Sequence, residues 1–580
     1  MCGIAGVMMR DGGAPDGARL AQLLAAIAHR GPDGHGQWLA GSVALLQTRL
    51  AIVDLVTGDQ PFFAPGGAVL VANGEIYNNP ELRAAMPATP FRTSSDCEPP
   101  LFLYAAEGLD FADRLRGMYV IAIHDPARGR LVLARDPFGI KPLYYTQTAD
   151  AFAFASEPQA LIAAGFAPAG VVPRRQAELL QLKFTTGAET IFPGIYRLLP
   201  GETLAIENAA IVARRQRPAL PAGAPRAPAT VAQLEAALLD SVSVHLRSDV
   251  PYGLFLSGGI DSASVLALMR RATGQRIAAI TCGWGGGGVD ETAEAARLAA
   301  LMGADCHRIA MGAADFWALA PRIAAAIDDP TADAAILPTW LLGRAARAQG
   351  LKVALCGEGA DELFGGYSRY RKARPPLSWF ARKPRSTGTL GAQPGLAGWR
   401  KGIAGWEAAP ADGRSAVQRA QAIDIAEWLP NDLLTKLDRC LMAHGVEGRT
   451  PFLDPVVAGF AFRLPDAQKV GLRFGKRLLR DWLAGAFPQA GAYARKKGFK
   501  PPVGAWMQAR GAELGRLVAA QPAIAGCVAA DFVRAAFANA AANPQRAWSL
   551  LFYALWHSHH VLGLPSDGDI GETLVAASTF

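Results

Sequence analysis

The chain has 580 residues, of which 51% are hydrophobic and 19% are charged. At roughly 100–200 residues per domain, this length predicts two to four domains, and the apolar content argues against disorder. The sequence has no run of about eighteen apolar residues, and its N-terminus has no basic segment followed by a long apolar stretch, so we expect neither a membrane span nor a secretory signal. Seven scattered cysteines form no CxxC pair, which argues against a zinc site or a disulfide framework. We expect a cytoplasmic protein with no membrane partner.

The net charge of +8 is unevenly distributed. Residues 1–210 hold 16 Lys and Arg against 20 Asp and Glu, a net charge of −4. Residues 211–580 hold 42 against 30, a net charge of +12. A basic second half suggests an anionic ligand, and charge alone does not choose between a nucleic acid and a nucleotide.

Short strands separated by Gly, Pro and Asp turns dominate the first part of the chain. This pattern predicts an α+β sandwich with few helices over residues 2–210. The Pro-, Ala- and Arg-rich stretch that follows has no periodicity, so residues 211–232 are predicted to be a linker.

From residue 233 the sequence pattern changes, because strand-like segments alternate with helical ones. Strands are predicted at 252–256, 277–282 and 353–356, with helices at 262–272, 293–303 and 339–349. This alternation predicts a parallel sheet with helices on both faces, in a second domain over residues 233–570. Residues 363–406 hold nine Lys and Arg and no acidic residue, and are expected to form an exposed, mobile basic insertion.

Cys2 is the most informative candidate for a catalytic residue in the first domain. If Met1 is removed, one residue carries both a thiol and an α-amine, whose pKa of about 7.7–8.0 lets it act as a base near neutral pH. Nucleophile and base are then assembled in advance, as in N-terminal threonine nucleophiles. Taken alone, Cys2 is better explained as an ordinary cysteine near a start codon.

A glycine-rich turn, Ser257-Gly258-Gly259-Ile260-Asp261-Ser262, follows the predicted apolar strand 252–256 and precedes a helix. Its backbone N–H groups, its hydroxyls and the helix N-terminus suit phosphate oxygens. The spacing is neither that of a Walker loop nor that of the dinucleotide fingerprint. The turn is similar to the SGGxDS loop of ATP pyrophosphatases, which cleave ATP to AMP and pyrophosphate.

A second loop, Cys356-Gly357-Glu358-Gly359-Ala360-Asp361-Glu362, also follows a short apolar strand. Loops at the carboxyl ends of parallel strands meet at one edge of the sheet. Asp261 and Asp361 are therefore predicted to share Mg²⁺, which prefers carboxylate and phosphate oxygens. The alternative for Asp361 taken alone is a helix N-cap.

Ordered motifs over nearly the whole chain resemble known families. Residues 2–200 resemble the class II glutamine amidotransferase domain through CGIAG (2–6), HRGPDGHG (29–36), TRLAIVDL (48–55), NGEIYN (73–78), SDCE (95–98), LARDPFGIKPLYY (133–145) and FASEPQAL (154–161). Residues 235–570 resemble the asparagine synthetase family through both glycine-rich loops and through EGRTPFLD (447–454), GKRLLR (475–480) and RKKGF (495–499). The family's usual HRRL reads QTRL at 47–50.

The first resemblance implies an Ntn-hydrolase-type sandwich of antiparallel sheets that hydrolyses glutamine. Cys2 is the implied nucleophile. Asn73 and the Gly74 N–H are the implied oxyanion hole, a device worth roughly 3–4 kcal/mol per donor. Arg49 is implied to bind the substrate carboxylate, and Glu75 and Asp96 its ammonium group.

The second resemblance implies an ATP-pyrophosphatase domain of the adenine nucleotide alpha hydrolase-like type. Its implied cofactor and substrate are Mg²⁺, at Asp261 and Asp361, and ATP. Glu358 is implied to accept a proton from ammonia or to steady the intermediate, and Lys496 to neutralise departing pyrophosphate. The predicted nucleotide-binding residues are Phe255, Leu256, Ser257, Gly258, Gly259, Asp261, Ser262, Cys282, Cys356, Gly357 and Glu358.

The predicted activity is therefore glutamine-dependent amidation of aspartate, with glutamine, aspartate and ATP as small-molecule partners and no nucleic acid. One alternative keeps the fold and changes the acceptor to another carboxylate in a natural-product, peptide or envelope-glycan pathway. A sugar-phosphate or phosphoribosylamine synthase would share the first domain but would lack the SGGIDS loop. A degenerate scaffold does not fit the retained Cys2, Arg49 and Asp261. A homodimer is compatible with the sequence.

Overall fold

The computed structural model describes residues 2–223, 226–284, 290–374, 387–408, 412–494 and 501–580. The predicted pyrophosphate-binding residue Lys496 lies outside these ranges, so its role stays a prediction.

The first domain contains two six-stranded sheets, ordered β10-β8-β9-β1-β3-β2 and β12-β11-β7-β6-β5-β4, in which every strand pair is antiparallel. The strands are β1 (Cys2–Met9), β2 (Gly34–Ala40), β3 (Val43–Arg49), β4 (Phe62–Phe63), β5 (Val69–Ile76), β6 (Gly117–Asp125), β7 (Arg130–Arg135), β8 (Tyr144–Gln147), β9 (Ala151–Ala155), β10 (Tyr196–Arg197), β11 (Glu202–Glu207) and β12 (Ala210–Gln216). The helices are α1 (Gly17–Ala26), α2 (Asn79–Ala85), α3 (Pro99–Glu107), α4 (Pro158–Ala163) and α5 (Pro173–Leu182).

Strand β1 is covered on both faces, because its side chains alternate between two hydrophobic clusters. Ile4 belongs to the cluster between the two sheets, together with Val120 of β6. Val7 belongs to the cluster on the other face, together with Leu23 of α1. The predicted sandwich is confirmed, and its central strand carries Cys2 at its first position.

The structure differs from the sequence prediction at the start of the linker. Residues 211–216 belong to β12, the edge strand of the second sheet, where Ala213 pairs with Ala205 of β11. Arg214 binds the carboxylate of Glu202 on β11 at 2.7 Å. Cross-strand ion pairs of this kind let a basic segment serve as a sheet edge.

The second domain is built on a five-stranded parallel sheet, ordered β15-β14-β13-β16-β17. Its strands are β13 (Tyr252–Phe255), β14 (Ala278–Trp284), β15 (Asp305–Met311), β16 (Val353–Leu355) and β17 (Glu447–Arg449). In chain order, β14 and β15 are added on one side of β13, and β16 and β17 are then added on its other side. The strand order therefore reverses between β13 and β16, and ligands bind at such switch points. The predicted α/β fold is confirmed.

Helices surround this sheet and form most of the remaining chain. They are α6 (Val231–His245), α7 (Ile260–Thr273), α8 (Thr292–Leu301), α9 (Ala313–Ala325), α10 (Ile336–Ala348), α11 (Ala360–Phe364), α12 (Ser368–Ala373), α13 (Lys401–Ala408), α14 (Ala416–Ile423), α15 (Thr435–Met442), α16 (Pro455–Arg463), α17 (Asp466–Lys469), α18 (Arg477–Ala486), α19 (Val503–Ala509), α20 (Gly511–Ala519), α21 (Pro522–Ala525), α22 (Ala530–Ala538), α23 (Pro544–His560) and α24 (Ile570–Ala577), with a π-helical segment at Asp424–Leu434. None of the helices in the described ranges has both the length and the apolar content to cross a membrane.

The prediction of an exposed insertion at 363–406 is wrong in part, because several of its described residues are buried. Tyr370, Leu390 and Leu396 are buried. Gln181 of α5 accepts a hydrogen bond from the Leu390 N–H at 3.0 Å and donates one to the Gly391 carbonyl at 2.7 Å. The segment is therefore held to the first domain near Leu390, whereas Tyr370 packs against Val417 and Val470 of the second domain.

Candidate active sites

Cys2 lies at the start of β1, held by polar groups from two neighbouring strands. Its N–H donates to the Asn73 Oδ1 at 3.0 Å, and the Gln47 Nε2 donates to its Sγ at 2.9 Å. Burial raises the pKa of the Cys2 thiol, and hydrogen bonds from the Leu50 backbone and from Gln47 oppose that rise. The thiol therefore needs a nearby base to become a nucleophile.

The side-chain amide of Asn73, on β5, has a hydrogen bond at its oxygen and none at its nitrogen among the described residues. Its Oδ1 accepts from Cys2, while its buried Nδ2 has no hydrogen-bond partner among the described residues. A buried donor without a partner is costly. At the next position, a Cβ on Gly74 would lie 2.3 Å from the Met118 carbonyl oxygen, so only glycine fits. Of the pair predicted to form an oxyanion hole, Asn73 thus contacts the Cys2 backbone and has a donor available, and Gly74 is the next residue of β5.

Arg49 of β3 lies directly opposite Cys2 on the neighbouring antiparallel strand β1, so the two residues are close together, as the predicted glutamine site requires. Its Nη1 lies 2.7 Å from the Asp59 Oδ1, and its Nη2 donates to the Asp54 carbonyl at 2.5 Å. The Asp59 side chain is 80% exposed. A carboxylate from the chain itself therefore occupies the guanidinium that is predicted to bind the carboxylate of glutamine.

The two acidic residues predicted to hold the ammonium group are both buried in the first domain. Asp96 Oδ2 accepts from the Ile76 N–H at 2.6 Å, and burial raises the pKa of Asp96 to about 6. Burial also raises the pKa of Glu75 well above its usual range, and the neighbouring Glu447 raises it further. Glu75 lies 3.1 Å from a guanidinium nitrogen of Arg449, a residue of the second domain. The sequence analysis missed this contact.

A cavity of about 250 Å³ opens at the carboxyl edge of the parallel sheet, between β13 and β16. Nine predicted nucleotide-binding residues line it: Phe255, Leu256, Ser257, Asp261, Ser262, Cys282, Cys356, Gly357 and Glu358. Asp361 lines it as well. The two glycines of the first loop, Gly258 and Gly259, lie in that loop between cavity-lining residues without lining the cavity themselves.

The first loop is organised by its two hydroxyls. Ser262 Oγ lies 3.0 Å from the Ser257 Oγ and accepts from the Ser257 N–H at 3.1 Å. The Gly259 N–H donates to the Ser257 Oγ at 3.2 Å. These bonds curl the loop around the N-terminus of α7, an end of a helix that favours anions.

The two carboxylates predicted to bind Mg²⁺ converge on one point. The Nζ of Lys476 lies 2.6 Å from the Asp261 Oδ1 and 2.5 Å from the Asp361 Oδ1. The Lys476 ammonium thus lies between the two carboxylates. Two carboxylate oxygens facing one point would also suit Mg²⁺, with phosphate and water oxygens completing its octahedral shell. Within the described ranges, no group of three or more His, Cys, Asp or Glu side chains is placed to hold a metal by itself.

Sequence reasoning missed several residues around the cavity. Lys476 lies within the quoted GKRLLR motif, but nothing in the motif directs its ammonium group between two aspartates. Lys436 of α15 lines the cavity 3.5 Å from the Asp333 carboxylate. Burial raises the pKa of Glu358, and the ammonium of Lys436 opposes that rise. Other lining residues that were not predicted are Thr281, Thr339, Glu362 and Tyr367.

Buried ion pairs join the two domains close to Cys2. Arg30 donates to both oxygens of Asp438, at 2.9 and 3.0 Å, and to Glu157 at 2.7 Å. Its Nε donates to the Cys2 carbonyl at 3.3 Å. Arg439 binds Asp438 at 2.8 Å from the other side. The backbone of the thiol residue is thus tied to the second domain through a single arginine.

Two family models match the two domains: a glutamine amidotransferase domain over residues 1–216, and asparagine synthase over residues 233–558. Together with the geometry described above, these matches define an ATP-dependent ligase that takes its nitrogen from glutamine. The chain belongs to the asparagine synthase family.

The curated relatives include proteins that match over nearly their full length. A putative asparagine synthetase (glutamine-hydrolyzing) of Mycobacterium tuberculosis is 33% identical over 96% of this chain and 97% of its own length. The asparagine synthetase (glutamine-hydrolyzing) 1 of Bacillus subtilis is 30% identical over 97% of each chain. The amidase chry2 of Gibberella zeae is 33% identical over 61% of this chain and 56% of its own length. Among solved structures, a B. subtilis phosphoribosylpyrophosphate amidotransferase matches with a TM-score of 0.29 and 16% identity over 53% of this chain and 81% of its own, a likeness too low to support any argument.

Proposed function

We propose that the protein is a glutamine-dependent asparagine synthetase, which hydrolyses glutamine in its first domain and amidates aspartate in its second. The observation that carries the proposal is the single cavity shared by the SGGIDS loop, Asp361 and Glu358. A carboxylate activated by ATP in that cavity would lie beside an acidic side chain able to take a proton from the incoming amine.

In the first half-reaction, the Cys2 thiolate attacks the side-chain amide carbon of glutamine. The α-amine of Cys2, freed by removal of Met1, takes the thiol proton and returns it to the leaving ammonia. The unpartnered Nδ2 of Asn73 and the Gly74 N–H stabilise the oxyanion, and the resulting thioester is hydrolysed to glutamate. Arg49 binds the carboxylate of glutamine, and Glu75 and Asp96 bind its ammonium group.

In the second half-reaction, an oxygen of the aspartate side chain attacks the α-phosphorus of ATP, and pyrophosphate leaves. The SGGIDS loop and the N-terminus of α7 bind the phosphates. Mg²⁺ held by Asp261 and Asp361 would neutralise phosphate charge, and Lys496 is proposed to neutralise the leaving pyrophosphate. Ammonia then attacks the acyl carbon, AMP leaves, and Glu358 accepts the proton that ammonia loses.

Ammonia must pass between the domains before water protonates it. The ion pairs of Arg30 with Asp438 and of Arg449 with Glu75 are buried, so the contact between the domains near both sites is closed to bulk solvent. A closed contact of this kind supports internal transfer of ammonia.

Aspartate is favoured as the acceptor because relatives named asparagine synthetase match 87–97% of this chain in M. tuberculosis, B. subtilis and Escherichia coli, while one from Asparagus officinalis matches 64%. The amidase-named relatives match only about three fifths of it. Their existence makes another carboxylate the second candidate acceptor.

The acceptor is tested by incubating the protein with glutamine, ATP and Mg²⁺, with and without aspartate, and measuring pyrophosphate and asparagine. We expect both products to appear in equal amounts and only when aspartate is present. Release of pyrophosphate that is indifferent to aspartate, or stimulated only by another carboxylate, would contradict the proposal.

Replacing the nucleophile separates the two half-reactions. Cys2→Ala should lose at least 99% of its glutamine-dependent synthesis but should retain synthesis with ammonium salts, because the second site is intact. Cys306→Ala, at a thiol on β15, is the matched control and should keep both activities. Loss of both activities in Cys2→Ala would contradict two separable sites.

A further inference from the structure

Arg449 is the last residue of β17, and its backbone supports the loop that carries Glu358. Arg449 pairs in register with Leu355 of the neighbouring strand β16. The Cys356 N–H, one residue further along, donates to the Arg449 carbonyl oxygen at 2.8 Å. Any movement of the Arg449 backbone is therefore passed directly to the Cys356–Gly357–Glu358 segment that lines the nucleotide cavity.

The side chain of Arg449 points in the other direction, toward the glutamine pocket, and is fully buried. Its Nε binds Glu447 at 2.5 Å, and its Nη1 donates to the carbonyls of His245 and Arg247 at 2.6 and 2.7 Å. Its Nη2 forms the ion pair with Glu75 at 3.1 Å. One residue thus contacts the predicted ammonium-binding group of one site and the catalytic loop of the other.

The Arg449 guanidinium lies among several buried carboxyl groups. Glu75, Asp96 and Glu447 are all buried, and each interacts electrostatically with Arg449. Three buried carboxyl groups therefore lie around the Arg449 guanidinium, and Lys141 also interacts electrostatically with Glu447, in a region where a buried charge is costly unless it is compensated. The ammonium group of glutamine would add a further cation beside Glu75. Binding of this ammonium group at Glu75 changes the electrostatic attraction between Glu75 and Arg449.

We propose that Arg449 is a positioning residue that couples occupation of the glutamine pocket to the geometry of the Glu358 loop. The inference rests on the proposed function, because it assigns the two ends of the Arg449 contact to the two half-reactions. Coupling between sites is reciprocal: if glutamine alters the loop, ligands of the nucleotide cavity must alter the affinity for glutamine by the same factor. Typical coupling factors are about 5- to 150-fold.

The kinetic test measures kcat/KM for glutamine hydrolysis with and without ATP, Mg²⁺ and aspartate. We expect the ligands to raise kcat/KM at least fivefold in the natural protein and less than twofold in Arg449→Lys. Lysine keeps the charge but cannot hold Glu447, two carbonyls and Glu75 at once. Arg439→Lys is the matched control, because Arg439 is equally buried between the domains but contacts neither Glu75 nor Cys356. It should keep the stimulation.

A second measurement needs neither a variant nor a product. We expect alkylation of Cys2 with 6-diazo-5-oxo-L-norleucine, a glutamine analogue, to change amide hydrogen exchange at residues 353–359 in the natural protein. The exchange result is independent of the acceptor, so it stands even if aspartate is not the substrate. Unchanged exchange in this segment, no stimulation in the natural protein, or equal stimulation in Arg449→Lys would each overturn the inference.

Discussion

At the scale of single residues, Asp59 is placed to compete with the substrate. Its exposed carboxylate occupies Arg49, the residue proposed to bind the carboxylate of glutamine. Glutamine must displace it, and exposed ion pairs are worth about 0.2–1 kcal/mol. Asp59→Asn should therefore lower the KM for glutamine roughly one-and-a-half- to fivefold, with kcat unchanged, as measured by glutamate release.

The control for this prediction is Asp113→Asn. Asp113 pairs with Arg215 at 3.2 Å on the surface of the same domain, so its replacement removes the same charge without touching Arg49. The KM of this variant should equal that of the natural protein. An unchanged KM in Asp59→Asn would show that Asp59 does not compete with glutamine.

At the scale of elements, the loop after β16 depends on the backbone of Gly359. This residue adopts φ +89, and a Cβ there would lie 2.3 Å from the buried Leu453 side chain. A left-handed conformation costs a residue with a Cβ about 1–2 kcal/mol before any clash is counted. Gly359→Ala should shift Glu358, lower pyrophosphate release about tenfold or more, and leave glutamine hydrolysis intact.

Gly274 provides the comparison for Gly359. It also has a positive φ, +66, but no atom lies within 4 Å of its would-be Cβ, at the C-terminal end of α7. Gly274→Ala should lose about 1 kcal/mol of stability while releasing pyrophosphate at the natural rate. If both variants lost pyrophosphate release equally, the position of the Glu358 loop would not explain the effect.

The same elements show what sequence can and cannot predict. The loops after β13 and β16 were predictable, because an apolar strand, a glycine-rich turn and a helix are adjacent in the chain. Strand β17, with the sequence Glu-Gly-Arg, has no local strand pattern, and it becomes a strand only by pairing with β16. Lys476 likewise gains its role only when folding brings Asp261, 215 residues away, to its ammonium group.

At the scale of the whole molecule, a motif of the first domain binds a helix of the second, α15. Arg30 lies in HRGPDGHG, and its partner Asp438 lies 408 residues further along the chain. The HRGPDGHG motif does not predict this contact, because it was matched to the first domain alone. The ion pair shows that residues quoted for the chemistry of one domain also hold the two domains together.

Removing this arginine should weaken the whole molecule. Arg30→Met leaves Asp438 and Glu157 buried, with Arg439 and the partly exposed His29 as their remaining cationic partners, and breaking a buried pair in this way costs about 3–5 kcal/mol. The free energy of unfolding in urea should fall by that amount. Glutamate release should also exceed amide product, because ammonia escapes where the domains separate. Arg534→Met breaks an exposed pair with Asp531 and should cost about 0–1 kcal/mol with no loss of ammonia. If the two variants unfolded alike, the buried pairs would not be what holds the domains in contact.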